Sequence, residues 1–152
     1  MLTVSDFARE RPAGPVLLQL PRHMDGRGSL GVIEAQDLPF DIRRIYYLHD
    51  VPMGAVRGEH GHKRLEQLIL CMHGQVEIIL NDGQRQFPFT LTDASTGLYL
   101  PPGLWRRLRF LVPETVVCVL ASRPYEKDDY IYEYEEFLAW ARARRAADGA
   151  GE

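Results

Sequence analysis

Short apolar runs separated by turn-forming residues fill the middle of the chain. The runs are Leu30–Glu34, Ile42–Leu48, Gln67–Met72, Val76–Leu80, Gln86–Thr90, Gly97–Leu100, Arg106–Phe110 and Val116–Ala121. Runs of roughly four to eight residues suit strands better than helices. The separators are Asp25-Gly26-Arg27-Gly28, Pro52-Met53-Gly54, His73-Gly74, Asn81-Asp82-Gly83 and Pro101-Pro102-Gly103. Asn, Asp and Gly tolerate positive φ, so Asn81-Asp82-Gly83 between two apolar runs predicts a hairpin. Many short strands at regular spacing predict an all-β sandwich or barrel rather than a parallel α/β sheet. The pattern changes only near the end, where good helix formers predict a helix over Glu133–Ala147. Phe137, Trp140 and Ala141 fall at i, i+3 and i+4 and form an apolar stripe that should dock on the strands. Arg142, Arg144 and Arg145 suit the negative end of that helix, or simply a solvated face.

Composition adds limits. At 152 residues, 45% of them hydrophobic and 26% charged, the chain is expected to form one globular domain over residues 1–152. Residues 1–15 are expected to be an N-terminal arm and residues 148–152 a frayed tail. A formal charge of -3 gives no reason to expect nucleic-acid binding, although Arg43-Arg44 and Arg106-Arg107 are local basic pairs. Cys71 and Cys118 sit inside apolar runs and are expected to be buried thiols. No apolar stretch approaches the ~20 residues of a membrane span. The start of the chain, with Asp6, Arg9, Glu10 and Arg11, does not resemble a signal peptide, so the cytoplasm is the expected compartment.

The chemistry concentrates in Arg57-Gly58-Glu59-His60-Gly61-His62-Lys63, with Glu66 following. Residues two apart in a strand share a face, so His60 and His62 are expected side by side. Two imidazoles on one wall can bind a metal or move protons between neighbouring carbons. Arg44, Tyr46 and Leu48 share one face of their strand, and Arg43, Ile45 and Tyr47 the other. Parity alone does not say which face is interior.

The spacing Gly54-x5-His60-x-His62-x3-Glu66 resembles the first half of the cupin signature, and Pro101-Pro102-Gly103 resembles the turn of the second half. The resemblance implies a cupin-type double-sheet jelly-roll barrel with a C-terminal helix. Where a cupin returns its next histidine, this chain has Arg106, which has no lone pair to give and stays cationic. No metal is therefore expected.

A longer ordered set is more specific: Asp25-x-Arg27-Gly28-x-Leu30, Pro39-Phe40-x-Ile42-x-Arg44-x-Tyr46-Tyr47, Arg57-Gly58-x-His60-x-His62-Lys63, Leu65-Glu66-Gln67, Asp82-Gly83, Gly97-Leu98-Tyr99, Trp105, Leu120-Ala121-Ser122 and Tyr125-x-x-x-Asp129-Tyr130-Ile131-x-x-Tyr134-x-x-Phe137. Together these resemble the sugar-nucleotide 3,4-ketoisomerases, small cupins acting on dTDP-4-keto-6-deoxyglucose. The set departs from the family at Arg106, often histidine, and at Gly61, often alanine.

The resemblance implies that a base removes the C3 proton, an enediolate forms, and a proton returns at C4, with no cofactor because electrons move only within the sugar. Imidazole suits such work at neutral pH. His62 is expected as the base and His60 as relay or polariser. Tyr47 or Tyr46, with Arg106, would steady the enediolate. Arg57 would hold the pyrophosphate. Arg44, Arg27 and Trp105 complete the expected substrate-binding set, with Asp128-Asp129-Tyr130 as structural packing. The loop Asp25–Gly28 resembles members that form the galacto product. The family implies a homodimer with exchanged N-terminal strands, a role suited to Val16–Leu20. Three alternatives stay open: a metal-dependent enzyme using His60, His62 and Glu66, a 3,5-epimerase of the same sugar nucleotide, and a non-catalytic sugar-nucleotide-binding cupin.

Overall fold

The computed structural model describes residues 1–151; the last residue of the expected tail, 152, lies outside them. In chain order the elements are β1 (Leu2–Thr3), α1 (Val4–Arg9), β2 (Val16–Gln19), β3 (Arg22–Asp25), β4 (Gly28–Gly31), β5 (Arg44–Leu48), β6 (Val56–His62), β7 (Gln67–His73), β8 (Val76–Asn81), β9 (Gln86–Leu91), β10 (Thr96–Leu100), β11 (Trp105–Phe110), β12 (Val116–Ala121), β13 (Tyr130–Ile131) and α2 (Tyr134–Gly149). One sheet runs β1-β2-β10-β7-β12-β5, a second runs β13-β6-β11-β8-β9, and β3 pairs with β4 alone. From β5 to β12 the chain passes back and forth between the two large sheets.

Alternation along the strands builds three apolar layers. Ile69, Cys71, Leu98, Leu100, Val117 and Val119 of the first sheet meet Val76, Ile78, Leu80, Leu108 and Phe110 of the second, forming the core between them. The other face of the first sheet presents Leu18, Leu68, Leu70, Tyr99 and Leu120, which Phe7 of α1 and Leu38 and Phe40 cover. The outer face of the second sheet receives α2 through Phe137 and Ala141. β9 tolerates Pro88 because it is an edge strand, where a missing N–H need not break a ladder.

The all-β expectation with a C-terminal helix stands. Closure by strand pairing is not observed: among the described residues no strand of one large sheet pairs with a strand of the other. The N-terminal arm is more ordered than its charge suggested. Thr3 caps α1 in a reciprocal pair with Asp6, which satisfies backbone groups that a helix start leaves free. The Leu30–Glu34 strand is displaced to Gly28–Gly31, and the predicted Glu133–Ala147 helix extends to Gly149. Among the described residues no helix is long and apolar enough to cross a membrane.

Candidate active site

His60 and His62 sit near the end of β6 with ring centroids 4.6 Å apart, edge to face. On one side β11 places Arg106 opposite His60. On the other, β13 pairs Tyr130 with His62. Between Arg106 and Leu108 the register slips, so that Arg57 rather than Gly58 lies opposite Leu108. The slip coincides with Gly58 at φ +68, the left-handed conformation characteristic of a glycine bulge. A Cβ at Gly58 would stand 3.2 Å from the Arg106 guanidinium, so the glycine also makes room for that cation.

The residues around the pair form one polar network. Arg106 donates to Gln67 Oε1 at 2.7 Å and approaches His60 Nε2 at 3.3 Å. Tyr46 donates to the same Gln67 oxygen at 2.9 Å, and the guanidiniums of Arg44 and Arg106 lie 5.1 and 6.0 Å from its ring centroid. Arg44 donates to the Tyr130 hydroxyl at 3.1 Å. Tyr130 packs against both imidazoles at 5.0 and 4.4 Å and stacks on the exposed Tyr132. Behind His62, Asp129 Oδ2 stands 3.7 Å from Nδ1, an ion-pair distance rather than a hydrogen bond. Asp129 Oδ1 accepts from the Arg64 backbone N–H at 2.7 Å and from Arg64 Nε at 3.3 Å. Buried nitrogens of Arg44, His60, His62 and Arg106 have no protein hydrogen-bond partner, which suits a site made to receive a polar ligand.

Burial and positive charge set the protonation. His60 is pushed down to about 2, by desolvation first and then by Arg106, His62 and Arg44. His62 is pushed down to about 4 by desolvation, with Asp129 opposing the shift. Burial alone would raise Asp129, but His62 and the Arg64 donors outweigh it and hold the carboxylate at about 2. At neutral pH both imidazoles are free bases beside a fixed carboxylate and two fixed cations.

The structure brings together His60, His62, Arg44, Tyr46 and Arg106 of the expected set. It turns others away. Tyr47 is 65% exposed on the outer face of β5 and packs with His49, so of the two tyrosines only Tyr46 can reach the network. Trp105 points out of the opposite sheet, against Tyr134 and Phe137 at the foot of α2, because it alternates with the inward Arg106. Arg27 is spent in an exposed pair with Asp25 on the β3–β4 hairpin, which joins neither large sheet. Arg57 shares the inner register with Leu108 but is exposed, with no ion pair among the described residues.

Gln67 also belongs to the site, and so do Asp129 and Tyr130, which were expected to be structural packing only. The Asp129-Tyr130 motif was visible, but nothing in its spacing revealed that β13 would pair with β6. Gly61 also carries more than expected: a Cβ there would come within 2.9 Å of the Phe137 ring.

This geometry suits proton transfer. A metal set of His60, His62 and Glu66 does not assemble: Glu66 lies on the other side of its sheet, accepting from Tyr99 at 2.8 Å and pairing with Arg11 at 3.2 Å. The Arg106 guanidinium stands at the His60 nitrogen that a cation would need.

Residues 13–142 match the family described as FdtA: WxcM-like, C-terminal. A TDP-4-oxo-6-deoxy-alpha-D-glucose-3,4-oxoisomerase from Aneurinibacillus thermoaerophilus is 38% identical over 122 residues, 80% of this chain and 88% of that protein. Among solved structures, the sugar 3,4-ketoisomerase QdtA from Thermoanaerobacterium thermosaccharolyticum, in complex with TDP, is 36% identical with a TM-score of 0.83, over 87% of this chain and 97% of that one. The TDP-quinovose 3,4-ketoisomerase WlaRB from Campylobacter jejuni is 37% identical with a TM-score of 0.79, over 84% and 99% of the two chains.

Proposed function

This chain belongs to the FdtA: WxcM-like, C-terminal family, and on that footing we propose that it is a 3,4-ketoisomerase of a TDP-linked 4-keto-6-deoxyglucose. The observation that carries the proposal is the His60–His62 pair, uncharged at neutral pH and flanked by the cation of Arg106. In the reaction the C3 proton, acidified by the C4 ketone, passes to an imidazole. The C3 hydroxyl proton moves to O4 across the enediolate, and a proton returned to C4 leaves the ketone at C3. Arg106, whose Nε has no protein partner, is the donor placed to steady the enediolate charge, and Tyr46 and Gln67 hold it in position.

We assign the base to His60 and the supporting role to His62, reversing the order expected from sequence. His60 is half-buried and borders the exposed Tyr132, where a sugar can enter, whereas His62 is 3% exposed and backed by Asp129. QdtA offers a parallel. A histidine-to-asparagine mutant of it was crystallised with TDP-4-keto-6-deoxyglucose, and another mutant changes an arginine to histidine. Those two positions are separated by the same 46 residues as His60 and Arg106. Binding of an anionic pyrophosphate partly neutralises Arg44 and Arg106, which relieves part of the depression of His60 and makes it a better base in the complex. Arg57, exposed and unpaired on the same strand, is assigned to that pyrophosphate.

The galacto product rested on the Asp25–Gly28 loop, now placed on an exposed hairpin. A neighbour named for TDP-quinovose is 37% identical and one named for TDP-fucose 25%, which supports the gluco epimer instead. The back-and-forth strand order supports a cupin-type jelly roll forming one domain. Exposed Met24 and Leu30 on β3–β4 support a second copy of the chain as partner, and a nucleotide-sugar substrate supports the cytoplasm. Incubation with TDP-4-keto-6-deoxyglucose and NMR of the product test the function. A C3 ketone with C5 configuration retained is expected. Unchanged substrate, or inversion at C5, would remove the proposal.

A further inference from the structure

Away from the histidines, a cavity of about 400 Å³ opens between α2, the β8–β9 turn and the Pro101–Leu104 loop. Three guanidiniums line it: Arg85 from the turn, and Arg144 and Arg145 from α2. Each is held in place. Arg144 lies over the Trp140 ring at 5.3 Å and packs so closely on Gly103 that a Cβ there would overlap it. Arg145 donates to the Asp82 carbonyl at 3.0 Å, and Arg85 lies over Phe87 at 5.5 Å. Two carboxylates also face the cavity. Asp82 is engaged, accepting from the backbone N–H groups of Gln84 and Arg85 and pairing with Arg85 Nε at 3.7 Å, while Asp148 lies at the far end of α2. The proposed isomerase chemistry uses none of these side chains, and helix packing alone does not call for three arginines around one opening.

We propose that this cavity is a second ligand site, for a compound bearing a diphosphate, and that its occupancy is felt at the histidines. Guanidiniums bind phosphate oxygens in paired hydrogen bonds, Arg144 and Arg85 are stacked on ring faces with their outer edges in solvent, and the volume suits a small ligand. Two contacts link the cavity to the site. Gly103, on its wall, donates its backbone N–H to the His62 carbonyl at 2.8 Å. Trp140, also on its wall, packs on Phe137, whose ring rests against Gly61 between the two histidines. A ligand that shifts Arg144 or Trp140 therefore bears on Gly61 and on the His62 carbonyl, next to the His62 side chain. The coupling rests on the proposed isomerase function; the binding does not.

The test is calorimetric titration of inorganic pyrophosphate into protein already saturated with TDP, so that the histidine site is filled. A further binding event is expected, weakened about tenfold or more in Arg144→Ala and in Arg85→Ala. It should be unchanged in Arg142→Ala, an exposed α2 position outside the lining. No heat beyond dilution, or equal affinity in Arg144→Ala and Arg85→Ala, overturns the site. If TDP itself fails to bind, the proposed function fails, and the loss of pyrophosphate binding in the two variants still decides the cavity. For the coupling, kcat at saturating sugar nucleotide should shift when pyrophosphate is bound, and the shift should vanish in Arg144→Ala. Bound pyrophosphate with unchanged kcat overturns the coupling.

Discussion

Replacing Asp129 by asparagine keeps the shape of a buried side chain and removes its charge. In the wild type this carboxylate is 2% exposed, takes two donors from Arg64, and stands 3.7 Å from His62. Its pKa falls from 3.8 to about 2 on folding. A depressed carboxylate contributes stability that is present above the unfolded value and is lost as pH falls through the folded one. The depression corresponds to roughly 2 kcal/mol. Asp129→Asn should therefore lower the unfolding free energy by about that amount from pH 8 to pH 5, with the gap to wild type closing below about pH 4. Urea unfolding across pH measures it. The variant also loses the charge that opposes the depression of His62, so kcat should fall while KM for the sugar nucleotide holds. A variant within about 0.5 kcal/mol of wild type at neutral pH, with normal kcat, would refute the reasoning.

Three further outcomes follow from the site. Tyr46→Phe removes a donor to Gln67 and should lower kcat, whereas Tyr47→Phe on the outer face should leave it unchanged; equal effects would contradict the assigned faces. Acidification should destabilise the protein between about pH 6.5 and 4, because the unfolded chain takes up a proton at His62 before the native state does. That histidine contributes on the order of 3 kcal/mol across the window, and a flat urea midpoint would show it is not buried as a free base. Arg57→Ala should weaken TDP binding by roughly 1.5–3 kcal/mol in calorimetry, the range for a hydrogen bond to a charged group, and unchanged affinity would discard the assignment.

Much of this architecture was legible in the pattern of the chain. The short apolar runs became β5 and β7 to β12, and Phe137 and Ala141 docked the C-terminal helix as their spacing predicted. The histidine pair was legible too, because period-2 alternation needs no tertiary information. What escaped was set by contacts between distant segments. Tyr46 and Tyr47 are equivalent until a sheet gives the strand an inside. Trp105 was expected in the substrate-binding set, yet parity with Arg106 and the arrival of α2 place it outside. Asp129 and Tyr130 enter the site only because a two-residue strand pairs with β6, too short a segment to carry its own hydrophobic period. The α1 cap, by contrast, was readable as Thr3-x-x-Asp6 and was obscured by the charge around it.

In the proposed reaction His60 removes the C3 hydrogen and returns a proton to C4, with His62 in support. Exchange and transfer of that hydrogen in deuterated water, followed by NMR for the wild type, His60→Asn and His62→Asn, tests this most directly, because it reports the first chemical step apart from binding. TDP-4-keto-6-deoxyglucose should keep its C5 hydrogen throughout. His60→Asn should lose C3 abstraction by at least ~10²-fold while still binding TDP, and His62→Asn should lose less. Wild-type C3 abstraction by His60→Asn, or deuterium appearing at C5, would contradict it.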